Sequence, residues 1–476
     1  MFEFITMRKS YKFMLLCGFF LFLLLNLTKG QPKRTNKKTT TTVSNNFNIE
    51  ISQAVANDSL RLIEIFKDLH ANPELGFMEI RTAGIVAKEL KGLGYEVKEG
   101  IGKTGVAGIL KNGQGPIVMY RADMDCNAVK ETTGLPYASN KIVKKDDGSS
   151  TPVMHACGHD AHTTWLMGVA KIMASMKDKW AGTLIFVAQP AEEAILGAEA
   201  MVNDGLYSKY GVPEPDYLFG MHTAPVPVSL VAAAKGVRMA GTDQIDVTFK
   251  GIGGHGSTPQ LTKDPIIMAA AAIMEYQIII SRAIDPQKAA VLTIGSVQAG
   301  NDNNVIPSTA LVKINLRWFD EHDRKLMIEG IKQINEGIAN AYNLPDSMMP
   351  VMKMKGWSYP LDNSDTLTDW VITGIKTFVP ENKILKEDRL PAVMGSEDFH
   401  HLVIHNQKKK YCYINVGIAN PALFQTALKQ GKQLPFNAHN GDFQVDTDAI
   451  PFGVKIATAG LFEILKHKFI DRNSLH

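Results

Sequence analysis

The chain has 476 residues, 45% of them hydrophobic and 21% charged, which excludes a disordered or fibrous protein and leaves material for two or three domains. The formal charge is +3. Residues 1–30 carry four of the 51 basic residues and one of the 48 acidic ones, so 47 of each remain and no basic surface for nucleic acid is indicated.

Arg8, Lys9 and Lys12 precede an apolar run from Phe13 to Leu27, followed by Thr28, Lys29 and Gly30. A basic start, an apolar stretch and a small residue read as a signal peptide over residues 1–30. The expected destination is periplasmic or secreted. An uncleaved run would instead anchor the chain in a membrane, its one expected contact with lipid. Residues 31–50 are polar and low in complexity and are expected to be a flexible leader. Cys126, Cys157 and Cys412 remain beyond the apolar run, too few for a disulfide framework, although a bridge from Cys126 to Cys412 stays open.

From Ser59 to Met221, stretches of helical spacing alternate with short apolar strands. Helices are expected at Ser59–His70, Thr82–Leu93 and Asp160–Met176, and strands at Ile117–Tyr120, Thr183–Ala188 and Tyr217–Met221. This order implies an α/β domain with a mainly parallel sheet, its first part spanning 51–235. The middle, 236–352, reads strand, helix, strand, strand, helix: Gln244–Lys250, Pro265–Ile280, Ala290–Gln298, Ala310–Trp318 and His322–Tyr342. That is a small two-layer α+β insert. The first domain resumes over 353–470, with helices at Leu367–Phe378 and Pro451–Lys468 and a strand at Cys412–Val416.

The densest chemistry is His155-Ala156-Cys157-Gly158-His159-Asp160-Ala161-His162. Thiolate and neutral imidazole are good ligands for zinc-like ions. A polar helix cap is the plain alternative, but three histidines, a cysteine and an aspartate in eight residues favour metal. Gln189-Pro190-Ala191-Glu192-Glu193 follows a buried strand. One carboxylate there can bind metal while the other takes a proton from activated water. Alone, such a pair is a common surface feature. His222 and His439 gain weight only as further members of the set. Gly251-Ile252-Gly253-Gly254-His255-Gly256 formally matches a dinucleotide fingerprint, but Pro259 and Pro265 interrupt the helix that fingerprint needs. The glycines suit a loop presenting His255.

Several motifs occur in order: Arg121-Ala122-Asp123-Met124-Asp125, the cluster from His155 to His162, Glu192-Glu193, Gly220-Met221-His222, Gly253 to Gly256, Asn304-Val305-Ile306-Pro307, Gly395-Ser396-Glu397-Asp398-Phe399 and His439. Together they resemble the dinuclear aminoacylase and carboxypeptidase superfamily of metallohydrolases, in the amidohydrolase branch with hippurate hydrolase and indole-acetyl-amino-acid hydrolases. The resemblance implies a mainly parallel-sheet catalytic domain with an inserted ferredoxin-like dimerisation, or lid, domain. It implies two divalent ions per subunit, manganese or zinc before cobalt or nickel, held by Cys157 as bridge with His159, Glu193, His222 and His439.

In the same reading Glu192 is the general base, and His255 reaches from the insert into the partner's site of a homodimer. Asn304, Arg317 and Gly395 bind substrate. The implied reaction is hydrolysis of N-acyl or N-aroyl amino acids. A carboxypeptidase or dipeptidase acting on short peptides is the alternative in the same class, and a non-catalytic tethered binding protein the alternative outside it. Thr223-Ala224-Pro225-Val226, Cys126-Asn127 and the stretches Lys141–Thr151 and Leu423–Phe436 depart from the family pattern, which points to a reshaped pocket.

Overall fold

The computed structural model describes residues 41–145, 148–405 and 410–467. The expected signal peptide, and the leader up to residue 40, lie outside them. A helix spans Thr41–Ala71, so regular structure begins inside the segment expected to be leader.

An eight-stranded sheet organises residues 48–467. Its order is Glu96–Ile101, Gly105–Asn112, Gly182–Gln189, Ile117–Asp123, Tyr217–Pro227, Lys410–Ala419, Val231–Ala232 and Ile384–Leu385. The four strands from Gly182–Gln189 to Lys410–Ala419 are mutually parallel. They are nearly continuous apolar runs because both faces are covered. On one face Met119, Ile185, Val187 and Leu218 meet Ala198, Met201, Phe399 and Leu402. The other carries helix His159–Ser175, which meets both Ile117–Asp123 and helix Ala449–Lys466, and the latter also meets Asp365–Ile375. The antiparallel pair Glu96–Ile101 and Gly105–Asn112 was not expected from the sequence.

The insert leaves and rejoins this body through an antiparallel pair, Gly236–Met239 with Leu361–Asn363. It contains a four-stranded antiparallel sheet in the order Val291–Ala299, Thr309–Trp318, Gly241–Lys250 and Val351–Ser358. Thr309–Trp318 alternates buried with more exposed residues, and its buried face joins a core with Met268, Ala272, Tyr276, Met327 and Ile331 from helices Pro265–Ile278 and Glu321–Ala341. Both helices are capped by aspartate: Asp264 accepts from the Ile266 N–H, with Pro265 at the first turn, and Asp320 accepts from the His322 and Asp323 N–H groups. The resulting strand-helix-strand-strand-helix-strand order is ferredoxin-like. Its last strand, Val351–Ser358, crosses the boundary expected at 352: the chain still pairs with Gly241–Lys250 there.

Two of the stretches singled out in the sequence form regular structure. Ile142–Lys144 and Ser150–Pro152 pair as a hairpin, and Pro421–Lys429 is a helix. Cys126, Cys157 and Cys412 are all free and buried, so no Cys126–Cys412 bridge forms.

Candidate metal centre

Parallel strands deliver the site at their carboxyl ends, where such sheets bind ligands. Ile117–Asp123 ends on Asp123, and Gly182–Gln189 runs into the turn bearing Glu192 and Glu193. His222 lies within strand Tyr217–Pro227 rather than just after a strand, as the sequence suggested. Pairing with Ile117–Asp123 stops at Gly220, opposite Arg121, while pairing with Lys410–Ala419 continues, His222 beside Asn415. Its side chain is thus carried past the central strand on a backbone still held from the other side.

Cys157 and His159 flank Gly158, which has φ 86° and caps helix His159–Ser175. A Cβ there would lie 2.7 Å from both Cγ2 and Oγ1 of Thr223, so glycine is required for the close approach as well as for the backbone angle. The Thr223 hydroxyl donates to the Cys157 carbonyl at 2.7 Å, fixing that approach. His439 has φ 61°, and its N–H donates to the Ala156 carbonyl at 2.7 Å. The last member of the set is thereby tied to the residue just before Cys157.

The donor atoms of Cys157, His159 and His222 lie within 4.8 Å of one another, as do those of Cys157, Glu193 and His439. Cys157 belongs to both sets. Its Sγ is 3.4 Å from His222 Nε2, and His439 Nε2 is 3.3 Å from Glu193 Oε2. His159 Nε2 and Glu193 Oε1 stand 3.7 Å apart, both buried and without a hydrogen-bond partner. Buried polar atoms are ordinarily satisfied, so two orphans facing one gap fit a cation between them.

The rings are oriented for this. His222 Nδ1 is 2.7 Å from the Thr223 carbonyl, which can only accept, and His159 Nδ1 is 3.2 Å from Asp125 Oδ1. Each therefore turns the Nε2 lone pair toward the gap. Burial and the Glu193 carboxylate oppose ionisation of Cys157, yet His222 and His159 outweigh them and hold the thiol at about 6. Thiolate, imidazole and carboxylate together suit first-row divalent ions.

Glu192 Oε2 lies 3.8 Å from His159 Nε2 without belonging to either Cys157 set. Burial first, then Glu397 and Glu193, push its carboxyl well above the ordinary range, so it holds a transferred proton readily.

Residues 119–459 match the model of peptidase family M20/M25/M40. The chain belongs to that family. It is 46% identical over 339 residues to the hippurate hydrolase of Campylobacter jejuni, covering 71% of this chain and 83% of that protein. It is 33% identical to thermostable carboxypeptidase 2 of Saccharolobus solfataricus, over 82% of this chain and 92% of that one. The crystal structure of a Bacillus subtilis protein described as a dinuclear metal binding peptidase of the M20 family superposes with a TM-score of 0.63 at 26% identity, over 86% of this chain and 99% of that one. As a member of the M20 family, the chain is a metal-dependent amidohydrolase or peptidase.

The other histidines of the family cluster separate by their partners. His162 Nδ1 is 2.5 Å from Asp123 Oδ1, and its Nε2 accepts from the Thr223 N–H at 2.8 Å, so both nitrogens are occupied. His155 is buried, with neither ring nitrogen hydrogen-bonded, and burial lowers it to about 4.

His255 is exposed on the insert, where the pairing of His255 with Val305 and the Gly256 N–H bond to the Asn304 carbonyl at 2.8 Å bring it beside Asn304. Among the described residues, neither hydrogen-bonds to Cys157, His159, Glu192, Glu193, His222 or His439 of the same chain. Arg317 reaches back to the main body: one guanidinium nitrogen donates to Ser396 Oγ and Nε donates to Asn315 Oδ1 at 2.7 Å. Burial lowers Arg317 and the Glu192 carboxylate opposes that lowering, which places the two groups in electrostatic reach. Gly395, next to Ser396, accepts from the Ala240 N–H at 2.9 Å.

The motif residues without an assigned role in the sequence form the floor of the site. Arg121 is buried and bonds Asp123 at 2.8 Å, Glu397 at 2.9 Å and Gln189 at 2.8 Å. Carboxylate oxygens of Asp123, Glu192 and Glu397 lie within 4.8 Å of one another. Asp125 accepts from the Glu192 N–H at 3.1 Å and the Glu193 N–H at 3.0 Å. The signal in the sequence was the density of acids in Arg121–Asp125 and Glu397-Asp398, which has no reading until the strands are assembled.

Proposed function

We propose that the chain hydrolyses the amide bond of N-acyl or N-aroyl amino acids, with two divalent ions, manganese or zinc first, held by Cys157, His159, Glu193, His222 and His439. The observation that carries this reading is the pair of donor sets sharing Cys157, with the orphaned atoms of His159 and Glu193 between them and Glu192 alongside. When bound, the ions supply Lewis acidity to the amide carbonyl and acidity to water.

The chain's own groups do the rest. Glu192 accepts the proton of the attacking water and returns it to the nitrogen of the leaving amino acid, and its raised proton affinity favours the first of these steps. Arg317, steadied by Asn315 and Ser396, receives the substrate carboxylate, with Gly395 beside it.

The insert supports a homodimer in which His255 and Asn304 serve the partner's site and stabilise the developing oxyanion. His255 is exposed, and Ile267, Met274, Ile278 and Val297 of the insert are each more than half exposed. The N-terminal segment supports export, to the periplasm or outside the cell.

The likeness to a carboxypeptidase across most of its length supports peptide bonds as a second substrate class. Purified protein supplied with manganese, zinc, cobalt or nickel separates the two when screened against hippurate, other acyl-amino acids and dipeptides. Faster turnover of acylated amino acids supports the first reading. Turnover confined to peptides with a free amine supports the second.

A further inference from the structure

Glu192 and Glu193 are consecutive, so the backbone of one turn sets where both carboxylates point. That turn is unusual. Ala191 has φ 47° and Ile195 φ 55°, left-handed conformations that residues with a Cβ rarely adopt. Nothing in Pro190-Ala191-Glu192-Glu193 favours this shape, so something outside must hold it.

Three successive N–H groups show what does. Those of Glu192 and Glu193 are received by the two oxygens of Asp125, and that of Ala191 by Glu79 Oε1 at 2.8 Å. Glu79 comes from a distant part of the chain and is fully buried, at 0% exposure. It occupies the N-cap position of helix Ile80–Gly92, yet its side chain makes no capping bond to that helix. The carboxyl is turned inward instead, and its second oxygen accepts from the Thr104 hydroxyl at 2.6 Å.

The segment leading to Glu79 is fitted to the same turn. A Cβ on Gly76 would lie 3.0 Å from the Ala191 Cβ, and the Cys126 N–H donates to the Glu74 carbonyl at 2.9 Å. The loop 74–79 is thereby laced to both Asp125-Cys126 and Ala191.

We propose that Glu79 is a positioning residue for the proton-transfer and metal-binding carboxylates. Its Oε1 holds the Ala191 N–H, keeps the turn in its left-handed form, and so fixes the relative aim of Glu192 and Glu193. Glu79 touches neither substrate nor ion. The argument rests on the reading above, in which Glu192 transfers the proton and Glu193 is a ligand.

The test compares Glu79→Ala with Glu79→Gln in the full chain. Glutamine keeps an oxygen acceptor for the Ala191 N–H and presents a polar amide to Thr104. Glu79→Ala is expected to weaken manganese or zinc affinity, read by chelator competition, by about tenfold, as loss of a group supporting a ligand does. At saturating metal its kcat on hippurate falls by about 30-fold or more with KM within about threefold, since misplacing a reacting group by 1 Å costs on the order of 100-fold. Glu79→Gln recovers both quantities to within about fivefold of the parent.

A folded Glu79→Ala with parental metal affinity and kcat overturns the proposal, and so does a Glu79→Gln as impaired as the alanine variant. Where the alanine variant does not fold, Thr104→Val loosens Glu79 without removing its carboxyl group. Lowered metal affinity in Thr104→Val supports the proposal, and parental affinity with parental kcat overturns it. If the parent itself hydrolyses no amide when loaded with metal, the functional reading fails, whereas the metal-affinity comparison still decides the role of Glu79.

Discussion

Replacing His70 by glutamine will destabilise the protein in a way that depends on pH. His70 is 1% exposed, with Nδ1 2.6 Å from Asp160 Oδ2 and Nε2 3.1 Å from Glu131 Oε1. Burial works against its charge, but the two carboxylates outweigh burial and raise the imidazolium from 6.5 to about 9. A folded-state value above the unfolded one means stability that is fully present below pH 6.5 and lost as pH rises to about 9. The shift, at about 1.4 kcal/mol per unit, corresponds to about 3 kcal/mol. Glutamine keeps polar ends but no charge, leaving Asp160 and Glu131 without their shared cation. The gap between parent and variant should therefore be about 3 kcal/mol wider at pH 6 than at pH 9.5. Thermal melts of both proteins in chelator, at both pH values, measure it. At roughly 2–4 °C per kcal/mol for a large domain, the gap in midpoint should narrow by about 6–12 °C. A gap of equal width at both pH values would show that His70 is not held as a cation.

Two further predictions concern the insert. Arg317→Ala should raise KM for hippurate by about 10–100-fold, the worth of a charged hydrogen-bonded contact, while an acyl amide lacking the carboxylate is handled as before. An equal loss on both substrates would remove Arg317 from carboxylate recognition. His255→Ala should be nearly inactive alone but should regain activity when mixed and re-associated with Glu192→Gln, because one site of the mixed dimer then has a native His255 and a native Glu192. No recovery, with dimers shown to exchange, would place His255 in its own subunit's site or outside catalysis.

What could be read from the sequence follows the range of each contact. Cys157 and His159 were legible because their chemistry is packed into eight residues. The parallel strands were legible because strands covered on both faces are largely apolar, as residues 184–188 of Gly182–Gln189 are. Edge strands were not. Val351–Ser358 buries only Gly356 and Ser358, and Glu96–Ile101 only Ile101, so neither shows a clean alternation. His222 was expected after a strand because the apolar run ends at Met221, whereas the strand continues to Pro227 through its pairing with Lys410–Ala419. Glu79 left no trace, since a side chain bonding a backbone N–H 112 positions away has no local pattern. The roles of Arg121 and Glu397, 276 positions apart, became visible only once the sheet had assembled.

In the proposed reaction the residues around Cys157 bind two metal ions and Glu192 moves the proton. Metal content and amide hydrolysis measured on one preparation of Glu192→Gln test it most directly. About two divalent ions per chain are expected, as in the parent, with hydrolysis of hippurate reduced by a factor on the order of 100 or more. Retained hydrolysis in that variant, or a parent that works without bound metal, would contradict it.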